Sequence, residues 1–446
     1  MFDAFKHLVD WLWLYPILII LVGGGITMSI TLRFFQITKL PFILKETFGK
    51  IFKKGEGDGT ITPFQAATSA LASTIGAANI VGVPLAIATG GPGAIFWMWI
   101  IAIFGCALKY SEIILGIKYR VKNENGEYVG GPMYYLKNGA KMPILGSLFA
   151  FFLMVEIAPS IATQSASIVQ TAETINIPPV ISGIAVVFIV GLVVYGGIKR
   201  ISKVTEKLVP FMAIAYFLIA LIVVLFSFEN IPATFSLIFK GAFNPTAAAG
   251  GFAGSVVSAT IRTGAARGAY SNEAGMGTST IAHSAAVTDY PARQALWGVF
   301  EVIVDTLCIC TITALLVLTT GTWSGVGADK AAAMPSMAIQ SVLGTKFGGG
   351  FLTICMLMFV LSTLIVIIFY GEKQAEYLFG LKTSKIVRVI YLCFIMIGAL
   401  CKLDNIVVLL DSALACVIAT NMIGVIKLRK EVKEESDKFF ESQNLK

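Results

Sequence analysis

The sequence predicts an all-α integral membrane protein with eleven transmembrane helices. One extra N-terminal helix precedes two five-helix sets of opposite topology. Three observations predict this. The 446 residues are 56% hydrophobic and only 13% charged, with a mean hydropathy of +0.81. Apolar runs alternate with short basic loops along the whole chain. Two segments rich in Gly, Ser, Thr and Asn each open a set of five runs. Soluble globular chains carry roughly 25% charged residues, so the composition excludes an ordinary soluble enzyme, a disordered chain and a coiled coil.

The first apolar run, 11–32, contains no charge and follows Asp3, Lys6 and Asp10. It lacks the basic start and small-residue cleavage site of a signal peptide, so it is expected to remain as a span. Ten further spans fall at about 64–88, 92–117, 144–172, 179–199, 207–228, 246–288, 292–320, 347–372, 386–402 and 404–427. A span needs about 20 apolar residues. The run at 246–288 is too long and too polar for one plain helix. The expected divisions are an N-terminal helix and linker (1–63), a first repeat (64–228), a second, inverted repeat (229–428) and a charged, solvated tail (429–446).

Basic residues set the orientation. Arg33, Lys39, Lys45, Lys50, Lys53 and Lys54 follow the first span, and Lys118, Arg120 and Lys122 follow the third. Lys199, Arg200 and Lys203 follow the fifth, Arg293 the seventh, Lys382, Lys385 and Arg388 the ninth, and Lys427 to Lys446 the last. The intervening loops hold few. The C-terminus is therefore expected in the cytoplasm and the N-terminus outside a cell membrane. The net charge of +8 sits in these loops, which points to a lipid bilayer rather than nucleic acid as partner. The seven cysteines lie in or at the ends of apolar runs and are expected to be buried fillers. His7 and His283 are too far apart for a histidine metal site.

The first unusual segment runs from Ser69 to Pro84 and the second from Ser271 to Thr280. Glycine weakens a helix by about 1 kcal/mol relative to alanine. Unwound backbone at membrane depth is tolerated only where protein covers it or a cavity wets it. Two such breaks at matched places in two odd-numbered sets form the pattern of an inverted-repeat secondary transporter with a midplane site. Close helix packing through small residues is the structural alternative for either segment alone. Such a repeat encloses its own site, so a monomer is expected to suffice. The chain has no G-x-x-x-x-G-K-[ST] phosphate loop, no nucleophile–base arrangement and no metal set. An ATP-driven pump, an intramembrane enzyme and an organic cofactor are not expected. A channel would assemble rings of repeated loops or charges.

Thr74-Ile-Gly-Ala-Ala-Asn79-Ile-Val-Gly-Val-Pro84, the following Gly90-Gly-Pro-Gly-Ala-Ile-Phe96-Trp97-Met-Trp99, and Arg267-Gly-Ala-Tyr-Ser271-Asn272-Glu273-Ala-Gly275-Met-Gly277 resemble the alanine or glycine:cation symporter family. The likeness covers nearly the whole chain. It implies a LeuT-type five-plus-five fold and sodium-coupled uptake of alanine or glycine. Coupling to protons is the alternative.

Candidate residues follow. Asn79 would hold the first break open or touch the substrate, beside the amides of Ser73, Thr74 and Gly76. By the LeuT-type pattern, the carbonyls of Ala72 and Ile75 would meet sodium, together with the adjacent hydroxyls of Ser362 and Thr363. Sodium is a hard cation and takes oxygen ligands, as other hard cations do. Either hydroxyl could instead bond its own helix. In the second break Asn272, Gly275, Met276, Gly277 and Thr278 would hold the amino-acid head group. Glu273 is expected to anchor that break through Arg262 or Arg267. Gln164 would touch the substrate from the fourth span, and Glu156 lies on the same helical face. Asp305 and Asp411 are further intramembrane acids. Lys109 and Glu112 are expected to pair. Phe96, Trp97 and Trp99 are expected to pack.

Overall fold

The computed structural model describes residues 2–173, 177–243, 257–401 and 406–445. The first part of the 246–288 run and the first residues of the 404–427 run lie outside the described residues. Among those described, eight helices are long and apolar enough to cross a membrane, and nine if a bent pair counts as one span.

In chain order, α1 is Ala4–Thr31 and a short α2 is Leu40–Thr47. The bent pair is α3 (Pro63–Thr74) and α4 (Ala78–Gly90), which meet at 49°. Then come α5 (Ala94–Lys118), α6 (Pro143–Glu173), α7 (Pro179–Val194) and α8 (Gly197–Phe226). A short α9 (Ile231–Phe243) precedes α10 (Val257–Asn272) and the five-residue α11 (Ser279–His283). The remainder is α12 (Pro291–Thr319), α13 (Met334–Leu343), α14 (Thr345–Phe379), α15 (Leu381–Leu400), α16 (Ile406–Lys427) and α17 (Arg429–Ser442).

Among the described residues, two of the eleven expected spans do not qualify by length and composition. The helix α7 has only 16 residues, and α10, with 16 described residues, is short and polar as well. The expected first-set runs otherwise match helices within a few residues, except that 207–228 begins a helix earlier, at Gly197.

Two helices organise the interior. The helix α5 is buried along most of its length and is clasped by α1, α10 and α12. The helix α6 carries α14, α15 and α16. By contrast α7 and α8 turn Phe188, Leu192, Phe211 and Leu218 outward, as lipid-facing helices do. Between α5 and α6 a hairpin pairs β1 (Val121–Lys122) with β2 (Tyr128–Val129).

Two expectations are corrected here. The tail is not merely solvated: α17 buries Val432, Phe439 and Phe440. Phe440 packs on Phe35 and Phe42, the Ser436 hydroxyl meets that of Tyr110, and Lys118 pairs with Glu431 at 3.0 Å. The charges made the segment look soluble, but they are confined to one face of an amphipathic helix. The cysteines divide: Cys106, Cys310 and Cys355 are buried, whereas Cys393 and Cys401 are exposed. The Phe96–Trp97–Trp99 cluster packs as expected, against Phe239 and Phe243 of α9. Trp97 donates its indole N–H to the Ala242 carbonyl.

Candidate functional site

The first break begins where α3 ends. Thr62 and Gln65 cap the start of α3 reciprocally, with Pro63 in the first turn. The helix stops at Thr74, and Ile75 is extended, at φ −79° and ψ 95°. The Asn79 carboxamide oxygen then accepts the Gly76 N–H at 3.0 Å, bridging the gap. Its amide donates to Asp305 Oδ1 at 2.6 Å and to Ser271 Oγ at 3.2 Å. One side chain thus ties the first break to α12 and to α10. Asp305 also accepts the Ser271 and Thr306 hydroxyls, each at 2.8 Å.

The second break spans 273–278. Three of its residues are left-handed: Glu273 (φ 55°), Gly275 (φ 93°) and Gly277 (φ 75°). A Cβ on Gly275 would lie 2.2 Å from Leu21, and one on Gly277 would lie 2.4 Å from Pro132, so both positions demand glycine. The Asn272 carboxamide accepts the Ala274 N–H at 3.1 Å, a local turn of the kind asparagine favours.

Buried charges hold this break from behind. Lys109 Nζ donates to the Asn272 carbonyl at 2.8 Å and lies 3.5 Å from Glu301. Glu301 also bonds His283, which meets Gln294. Glu112 accepts the Asn421 amide at 2.6 Å, and the backbone N–H groups of Gly275 and Gly277 point to the same carboxylate. Asn421 also donates to the Gly275 carbonyl at 2.8 Å and accepts the Tyr135 hydroxyl. The expected Lys109–Glu112 pair is therefore a correction. The two share a helix face but reach separate partners across the interface.

Between the breaks lies a cavity of about 70 Å³, room for a few waters. Ser73, Thr74, Gly76 and Ala78 line it around the first break, Tyr270 from α10, and Glu273, Met276 and Thr278 from the second break. Glu156, Ser160 and Gln164 come from one face of α6 at four-residue spacing. Thr363, Ile367 and Tyr370 come from α14. A larger vestibule of about 540 Å³ lies on the side of Asp10, Arg262, Arg267 and Asp411, and Tyr270 lines both spaces.

The structure thus brings together Ser73, Thr74, Gly76, Gln164, Met276 and Thr278. It places Asn79, Asn272, Gly275 and Gly277 behind the wall rather than in it. The Thr363 hydroxyl lies 3.0 Å from the Ala72 carbonyl, and its oxygen is 3.0 Å from where a Cβ on Gly76 would be. Ile75 is fully buried and does not line the cavity. Ser362 departs from its expected place: its hydroxyl bonds the Phe359 carbonyl of its own helix at 2.8 Å and faces Met212 of α8. Two adjacent helical residues point about 100° apart, so only one can face the break.

Glu273 is also corrected. Its carboxylate accepts the Thr278 hydroxyl at 2.6 Å and the Ser73 hydroxyl at 3.4 Å, which joins the two breaks, while Arg262 stacks on Tyr15. Sequence reasoning missed Tyr270, Tyr370 and Asn421. Asn421 carried a signal, being the one carboxamide in the otherwise largely apolar α16, Ile406–Lys427.

The model of the sodium:alanine symporter family matches residues 1–446. An uncharacterized transporter of Bacillus subtilis, YflA, is 49% identical, over 98% of this chain and 93% of its own. The sodium/alanine symporter AgcS of Methanococcus maripaludis is 38% identical, over 97% of this chain and 96% of its own. A manganese transporter from Eremococcus coleocola, at 11% identity, shares the fold with a TM-score of 0.51 over 81% of this chain and 75% of its own.

Proposed function

Because the chain belongs to the sodium:alanine symporter family, we propose that it imports small amino acids, alanine and glycine first, coupled to sodium by alternating access. On this reading α7 and the α10–α11 stretch also span the bilayer. The count is then eleven, in a LeuT-type five-plus-five repeat with the N-terminus outside.

The observation that carries the reading is the approach of Thr363 Oγ1 to the Ala72 carbonyl at 3.0 Å, beside the cavity between the breaks. Two oxygens at that separation can both lie about 2.4 Å from one hard cation. Sodium there would join α14 to the end of α3, with the Ile75 carbonyl as a further ligand after a small backbone shift. The unwound backbone at Ile75–Ala77 would then be held in the shape that receives substrate. The substrate's carboxylate meets the N-terminus of α4 at Ala78, where the helix dipole favours an anion.

The vestibule then faces outside, and substrate enters past Tyr270. The opposite side is closed by the buried network around Lys109, Glu112, Glu301 and Asn421. Each ligand raises the other's affinity by the same factor, as linkage requires.

The test is uptake of labelled alanine into proteoliposomes under an inward sodium gradient or a matched potassium gradient. Sodium-dependent uptake is expected. Uptake driven equally well by a pH gradient in potassium would overturn the ion, and no uptake of alanine or glycine would overturn the substrate.

A further inference from the structure

We propose that Glu156 receives the substrate's α-ammonium group, and so selects amino acids over otherwise similar acids. This rests on the function proposed above and adds the residue that fixes the substrate's orientation.

Glu156 sits mid-way along α6 and lines the cavity on the same face as Gln164. It is only 8% exposed, yet has no hydrogen-bond or ion-pair partner among the described residues. A buried carboxylate without a partner is costly, and inside a membrane more so. No lysine, arginine or histidine lines this cavity to balance it. The neighbouring Tyr391 hydroxyl is committed to the Met154 carbonyl at 2.7 Å. An ammonium group on the ligand would supply the missing positive charge.

Most other receivers for an ammonium group already hold hydrogen bonds. Glu273 holds the Thr278 and Ser73 hydroxyls. Around the second break the Asn272, Glu273, Gly275, Gly277 and Thr278 carbonyls each accept a hydrogen bond already, and among the described residues only the Ala274 and Met276 carbonyls there lack a donor. With the carboxylate at the first break and the ammonium at α6, the substrate lies across the cavity. The whole cavity is only about 70 Å³, so the room left for a side chain suits hydrogen or methyl.

The experiment is equilibrium binding of alanine to the purified full-length chain in sodium, with wild type, Glu156→Gln and Glu156→Asp. Lactate, which replaces the ammonium by a hydroxyl, is the competitor. Wild type should bind alanine, and lactate should compete poorly. Glu156→Gln should weaken alanine binding about 10- to 100-fold, the worth of a charged hydrogen bond. It should also narrow the gap between alanine and lactate, while Glu156→Asp keeps part of the affinity. Sodium should still raise the unfolding temperature of Glu156→Gln, which separates loss of this contact from loss of the fold. Alanine binding by Glu156→Gln within twofold of wild type would overturn the inference and leave the proposed function standing. Equal competition by lactate on wild type would do the same, even if the variant cannot be purified. Wild type that binds neither alanine nor glycine would overturn both.

Discussion

At the first break a single carboxamide, Asn79, closes the gap by taking the Gly76 N–H, and the exposed side of the break faces a cavity. At the second, six residues are held from behind by Lys109, Glu112 and Asn421, all buried at 0–1% exposure. Both segments read alike in sequence, as Gly, Ser and Asn at membrane depth. The difference lies in their neighbours: the first break is left adjustable toward a ligand, while the second is a wall with most of its backbone carbonyls already spoken for. Stability and transport should then rank the supporting residues in opposite orders.

The largest stability loss is expected at Lys109. Lys109→Met leaves Glu301 buried without its cation and frees the Asn272 carbonyl, and breaking a buried pair costs about 3–5 kcal/mol. Thermal unfolding of purified protein checks this, and adding Glu301→Gln should recover part of the loss. An unchanged unfolding temperature in Lys109→Met would remove the contrast between the breaks. Next is Asn421→Ala, which leaves the Glu112 carboxylate and the Gly275 carbonyl each short of a donor. About 1–3 kcal/mol per orphaned group is expected, read in the same melt.

Asn79→Ala belongs in the middle. It orphans the Gly76 N–H and one donor to Asp305, so about 1–3 kcal/mol of stability is at stake. Transport should suffer more, because the break loses its bridge: alanine uptake in proteoliposomes should fall to background while the protein still purifies as a folded species. Uptake near wild type would mean that the break keeps its shape without Asn79.

How far the sequence reveals all this differs between fold and site. Hydropathy and basic loops locate nearly every long helix, because lipid imposes length and composition on each span separately. The short helices α2, α9 and α13 escape that rule, since packing rather than lipid decides them. In the site, residue type and position suffice for Ser73, Gly76 and Thr363, which face the cavity from the first break and α14. They fail for Gly275 and Gly277, whose amides turn to Glu112 from another helix. A long-range partner such as Asn421 leaves no local periodicity, so which face of the break is spent cannot be read from the break itself.

The smallest stability effects, and the sharpest contrast, are expected at the neighbours Thr363 and Ser362. Both are buried hydroxyls on α14, and both reach the Phe359 carbonyl of their own helix, at 2.9 and 2.8 Å. Only Thr363 also approaches the first break, at the Ala72 carbonyl. Removing either hydroxyl should cost about 0.5–1.5 kcal/mol at most, since each bond made within one helix is weak in net terms. If sodium bridges α14 and α3, Thr363→Ala should raise the sodium concentration for half-maximal uptake about tenfold, a change of about 1.4 kcal/mol in ion binding. Ser362→Ala should leave it within twofold, because its oxygen faces Met212 instead. Equal effects at both positions would mean that α14 rotates when the ion binds, and that the face seen here is not the one that meets sodium.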